Sequence, residues 1–153
     1  MPRYFTHYWR NDTWESRRER ADGSELSHTA GNLFRRRGVR PGDFIYVVTV
    51  LKGRLFLGSK MEVDKILSQR EAKAELGNDI WQASEHIIGK TGTHWWSDRE
   101  VPLAVARRLR FKTSDGAIPP LFVPGGGLYK QTLRGVRELT KASAAELDRL
   151  LKV

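Results

Sequence analysis

The stretch from Gly38 to Val63, GVRPGDFIYVVTVLKGRLFLGSKMEV, constrains the fold more than any other part of the chain. The turn Pro41-Gly42-Asp43 opens onto Phe44 to Leu51, a run of mainly β-branched and aromatic residues. Such residues suit the pleated, half-buried surface of a strand. Lys52-Gly53 breaks the run and Arg54 to Val63 resumes it, which is the pattern of a β-hairpin. Just upstream, the basic segment Asn32 to Arg37 reads as helical. A strand pair entered from a short helix through a Gly-Asp turn is expected in a small barrel that holds a ligand at its mouth.

A chain of 153 residues is expected to form one domain with a core of its own. It contains no cysteine, which excludes disulfides, thiolate metal sites and thiol catalysis and fits a reducing compartment. The apolar runs are too short to span a membrane, and MPRYFTHYWR lacks the apolar core of a signal peptide, so a cytoplasmic protein without a membrane partner is expected. Lys and Arg number 27 against 18 Asp and Glu, a net charge of +9. An excess of this size attracts polyanions through counterion release, so nucleic acid is the expected partner. The bland alternative is charge that only keeps the chain soluble.

The remaining segments predict a mixed order of elements. Tyr4 to Trp9 reads as a first strand, and Arg10 to Ser24 as a loop or a poorly packed helix. Ser27 to Arg37 reads as a short helix with Leu33 and Phe34 inward, and Val63 to Leu76 as a second helix ended by Gly77-Asn78-Asp79. Ile80 to Ile88 is a strand or loop, and Gly89 to Gly92 is a turn. Val101 to Phe111 reads as a strand, Thr113 to Pro120 as a loop, and Leu121 to Gly127 as a short strand ending in flexible glycines. Ala142 to Leu151 reads as a terminal helix, with Ser143 as N-cap and Glu146 completing a capping box. The expected class is α+β: a small mixed β-barrel of about five to six strands, largely antiparallel and flanked by helices.

In this order, four segments resemble the PUA-like superfamily, and within it the EVE and YTH domains. They are YFTHYW, SHTAGNLFRRRGVRPGDFIYVVTV, GRLFLGSKMEV and the tail QTLRGVRELTKASAAELDRLL; WSDREVPLAVARRLRF is similar to the strand beside the family's pocket. The resemblance covers nearly the whole chain as an ordered pattern. It implies a reader of modified bases: methylated or hydroxymethylated cytosine, or methyladenine, flipped between aromatic side chains, with a nuclease as a possible partner in a restriction or defence setting. The chain departs from the pattern at His28-Thr29, where EVE domains carry an Arg-Asn pair, and near Ser27-His28, where YTH domains carry a cage tryptophan.

Five tryptophans supply the flat faces on which a base can stack. The resemblance gives Trp81 the role of a cage tryptophan. Of the adjacent Trp95 and Trp96, at most one is expected to face a pocket, because neighbours on a strand point oppositely. Trp9 is expected in the core, and Trp14 either closes over a ligand or packs on the barrel. Edge-reading candidates are Asn11, Asp12, Ser27, His28, Thr29 and Asn32, with helix capping as the competing role for Ser27 or Thr29. The histidines are scattered without ligand spacing, so neither a metal nor any other cofactor is expected, and His7 is expected in the core.

Basic clusters at Arg17-Arg18-Glu19-Arg20, Arg35-Arg36-Arg37, Arg107-Arg108 with Arg110 and Lys112, and Arg134 with Arg137 are candidates for gripping phosphates, together with Lys90. No enzyme motif is prominent. The alternative is an amidohydrolase of the related ASCH type acting on a modified nucleoside, with Lys60 and Glu62 as its base and acid; their competing role is a surface charge pair. A further alternative is an interaction module in a nucleoprotein assembly, without a base pocket.

Overall fold

The computed structural model describes residues 1–19, 25–91 and 95–152. In chain order the elements are β1 (Tyr4–Tyr8), α1 (Asn11–Glu19), β2 (His28–Gly31), β3 (Phe44–Leu51), β4 (Arg54–Leu67), α2 (Gln69–Leu76), β5 (Glu85–Gly89), β6 (Arg99–Glu100), α3 (Leu103–Arg108), β7 (Phe111–Thr113), β8 (Gly116–Ile118), a 3-10 turn (Lys130–Leu133), β9 (Val136–Leu139) and α4 (Lys141–Leu151). Among the described residues, nine strands form one mixed sheet in the order β2-β5-β4-β3-β1-β9-β7-β8, with β6 beside β4. The sheet is not closed, and it holds more strands than the five or six expected. It is also not purely antiparallel: β1 runs parallel to β3, with Tyr4 opposite Phe44.

The hairpin is central because both of its faces are buried. Ile45 and Val47 join Phe5, Trp9, Trp14, Phe34, Met61 and Trp96 in one core. Tyr46, Val48 and Val50 join Leu55, Leu57 and residues of α3 and α4 in the other. A bulge makes this division possible. Val47 pairs with Ser59 but Val48 pairs with Leu57, so Gly58 is the extra residue in β4. The extra residue inverts the alternation. It sends Leu55 and Leu57 to one core, and Met61 and Val63 to the other.

Several local expectations are corrected. Ser27 to Arg37 is not a helix: its first part is the edge strand β2, and the arginines sit on the turn that follows. Val63 to Leu76 divides at Ser68, because β4 continues to Leu67 and α2 begins only at Gln69. Val101 to Phe111 is mainly the helix α3, not a strand. Leu121 to Gly127 holds no regular strand, and its isolated bridge, Phe122 to Leu128, lies outside the sheet. The N-cap of α4 is Thr140, whose hydroxyl accepts the Ser143 N–H. Ser143 is buried within the first turn, and Glu146 binds Arg108 instead of closing a capping box.

In the polar segment after Arg10, residues Asn11–Glu19 form the helix α1. Asp12 in its first turn and Arg17 and Arg18 in its last suit the helix dipole. Its Trp14 is fully buried, and the Nε1–H donates to Asp98 at 2.9 Å. Arg18 forks onto the same carboxylate at 2.6 and 2.9 Å. Trp14 therefore packs in the core and holds α1 down. The expectations for Arg20, His94 and Gly92 lie outside the described residues.

Candidate functional site

Four tryptophans pack together at the site, and two of them, Trp9 and Trp81, line its cleft. Trp9 lies just beyond β1, stacked on Trp96 with ring centres 5.8 Å apart and a 24° interplanar angle. Trp14 packs on the same Trp96 at 4.6 Å. Trp81, in the loop between α2 and β5, meets the edge of Trp9 at 5.6 Å and His28 of β2 at 5.2 Å. Trp81 remains 41% exposed while Trp9 is buried, so the stack runs from the core to an open indole face. A cleft of about 450 Å³ opens here, lined by Trp9, Arg17, Glu25, Ser27, His28, Asp79 and Trp81 among others. A shallower hollow of about 300 Å³ continues from Trp9, Arg17 and Trp81 past Ser16 to Asp12.

Asp12 also borders a larger cleft, of about 930 Å³. This second space is polar and cationic: Arg10, Asn11, Asn32, Lys130, Gln131 and Arg134 line it, together with His7 and Gly31. Among its described lining residues the one acid is Asp12, which pairs with Arg10 at 3.2 Å on the exposed rim. The Asn32 amide oxygen is taken by the backbone and hydroxyl of Ser84 at 2.9 and 3.0 Å, which fixes the side chain at the rim.

Between the two clefts runs a buried hydrogen-bonded thread. Trp9 Nε1–H donates to Thr29 Oγ1 at 2.9 Å, and Thr29 Oγ1 lies 2.9 Å from His7 Nδ1. The indole can only donate, so the hydroxyl accepts from it and makes its second bond with His7 Nδ1. Burial pushes the His7 imidazole down to about 4, so the ring is neutral, with Nδ1 toward Thr29 and Nε2 toward Gly31. A side chain at residue 31 would approach that Nε2 to 3.3 Å and Phe34 to 3.2 Å; Gly31 leaves the room.

The structure thus brings together Trp81, Ser27 and His28 at one cleft, and Asn11, Asp12, Asn32 and Arg134 at the other. Thr29 is fully buried and acts on the site only through Trp9 and His7. Trp96 is 6% exposed and belongs to the stack's core, while Trp95 is 57% exposed and lines neither cleft. Arg35 donates to the Ile66 carbonyl at 2.9 Å, and Arg36 and Arg37 are exposed on the turn beside Asn32. Lys90 pairs with Glu62. Arg108 is held by Glu146, Arg110 folds back on the carbonyls of Arg107 and Leu109, and Arg107 lies over Phe122. Arg107 instead borders a separate cleft of about 430 Å³ with Lys52, Arg54 and the glycine run Gly125-Gly126-Gly127, away from the tryptophans.

Lys60 and Glu62 turn to different partners. Lys60 pairs with Asp148 at 3.0 Å and sits over the Phe44 ring, while Glu62 pairs with Lys90. The base and acid of the amidohydrolase alternative are therefore each engaged elsewhere. Arg17, expected in a basic cluster, lines the Trp81 cleft, whereas sequence reasoning missed Arg10, Lys130, Gln131 and Asp79 as lining residues, and Gln69 and His86 behind His28. The last two are 17 residues apart on α2 and β5 and carry no sequence signal of their meeting. Searches of family models, curated proteins and solved structures found no match to the chain.

Proposed function

We propose that this chain is a nucleic-acid reader that takes one base into the cleft beside Trp81. The observation that carries the reading is the Trp81 indole, held against Trp9 and His28 yet open at a cleft large enough for one base. Stacking on such a face is worth about 1–3 kcal/mol per base and is available only to a planar ligand. The adjoining cationic cleft of Arg10, Lys130 and Arg134, in a chain of net charge +9, supplies the attraction for phosphate. A base reached this way is extruded from its stack. The ligand class is a methylated or hydroxymethylated cytosine, or a methyladenine, and the fold is a member of the PUA-like superfamily of EVE or YTH type. A central hairpin, a first strand beside it and a terminal strand and helix support that assignment. In this reading the chain supplies recognition, and a nuclease partner in the cytoplasm supplies any cutting.

The test is binding to matched short oligonucleotides, DNA and RNA, plain or carrying each modified base, over a salt series. One modified base is expected to bind preferentially. Trp81→Ala is expected to lose that preference, about 1–3 kcal/mol, while keeping weak, salt-dependent binding. Equal binding to every oligonucleotide, or a preference that survives in Trp81→Ala, overturns the reading.

A further inference from the structure

Behind His28 a hydrogen-bonded relay leads away from the cleft to α2. The Ala83 N–H donates to Gln69 Oε1 at 3.0 Å, which fixes the amide with its oxygen inward. His86 Nε2 lies 2.5 Å from the same oxygen. An oxygen can only accept there, so His86 carries its proton on Nε2. Its Nδ1 is then a bare lone pair, and His28 Nε2 stands 2.8 Å from it, with the two rings nearly parallel at 8°. His28 must therefore donate from Nε2, which leaves its Nδ1 as an acceptor with no hydrogen-bond partner among the described residues.

Burial keeps both rings neutral, so a single proton per ring is the relevant count. His28 is pushed down to about 4, first by burial and then by the neighbouring His86. His86 is also lowered, by burial, against a backbone bond at Ala83 that favours its proton. His28 borders the Trp81 cleft together with Ser27 and two carboxylates, Glu25 and Asp79. Arg17 supplies donors to the same lining, so the ligand group that must bring an N–H is the one that meets His28 Nδ1.

We propose that His28 is a specificity-determining residue whose Nδ1 is locked as an acceptor by Gln69 through His86, and that it selects an amine-bearing base over its deaminated counterpart. This rests on the base-reading function proposed above. An exocyclic amine donates to the His28 nitrogen. A carbonyl oxygen in the same place would set two lone pairs against each other and leave the nitrogen unpaired. Gln69 is a positioning residue: it touches no ligand and acts only by choosing the tautomer.

Two measurements on the full chain separate this inference from the reading beneath it. Long-range proton–nitrogen NMR at neutral pH, without ligand, is expected to show both His28 and His86 protonated on Nε2. A proton on His28 Nδ1, or a charged ring, overturns the inference whatever the chain binds. The second measurement is competition between oligonucleotides that differ only by methylcytosine against thymine, or methyladenine against hypoxanthine. The wild type is expected to prefer the amine by about tenfold. Gln69→Leu is expected to reduce that ratio to about twofold or less without weakening salt-dependent binding, and Gln69→Glu, which keeps an acceptor, to preserve it. His28→Phe gives the same loss if Gln69→Leu does not fold. A wild-type preference that persists in both variants overturns the role of His28 alone. A wild type that distinguishes no base overturns the base reading and, with it, the ligand class.

Discussion

Gly58 holds a tight residue-scale constraint between two aromatic rings. A Cβ there would come within 2.8 Å of Trp14 Cη2 and closer still to the Trp96 ring. Both rings are packed in the core, where an extra methyl cannot be absorbed by rotation. Gly58→Ala is expected to destabilise the chain by about 1–3 kcal/mol. It should also shift the tryptophan fluorescence, since the displaced rings support Trp9 and, through it, Trp81. A denaturation midpoint and emission spectrum equal to those of the wild type would show that the ring stack is looser than described.

At the scale of elements, α2 depends on its first turn. Ser68 Oγ accepts the Glu71 N–H at 3.2 Å, and Glu71 Oε1 accepts the Ser68 N–H at 2.8 Å, a complete capping box. The bond to the Ser68 backbone holds the Glu71 carboxyl below its usual range. Ser68→Ala is expected to cost about 1 kcal/mol. Hydrogen exchange at the Glu71 amide should quicken, and because Gln69 is the first helical residue the relay to His28 should loosen with it. Unchanged exchange at that amide would show that the cap contributes nothing.

The same segment shows what could be read beforehand and what could not. Alternation and turn chemistry made the β3–β4 hairpin legible, because they report a strand's own two faces. The division at Ser68 was hidden: Ile66 and Leu67 continue a helical spacing into Ala72, although they belong to a strand that pairs with β5. β2 was hidden because a four-residue edge strand draws its stability from pairing with β5, not from its own pattern. At the site, Trp81 and His28 were visible as residue types, whereas Trp9 was legible only as a core residue. Its second role, at the cleft's edge, comes from β1 lying next to β3.

For the whole molecule, buried imidazoles set the pH response. His7 has a folded value of about 4 against an ordinary 6.5. Above about 6.5 neither the folded nor the unfolded ring takes a proton, and stability is flat. Between about 6.5 and 4 the unfolded chain gains a proton that the folded chain refuses. Stability is therefore full above that window and falls as pH is lowered through it, at about 1.4 kcal/mol per pH unit for His7. His28, lowered to about the same value, steepens the fall by a smaller amount because it borders solvent. Denaturation midpoints taken from pH 7.5 to 4.5 should decline, and less steeply in His7→Gln. A flat profile across that range would contradict the buried, neutral ring.

The position of β1 has a consequence for synthesis. Tyr4 stands between Phe44 on one side and Leu139 on the other. A growing chain can close the β3–β4 hairpin as soon as its two strands emerge, because their loop is short. Its first strand then has a single neighbour until Val136 to Leu139 have been made. Until then the free edge of β1 stays open to any strand that reaches it, and a strand made more than a hundred residues later is the one that seals it.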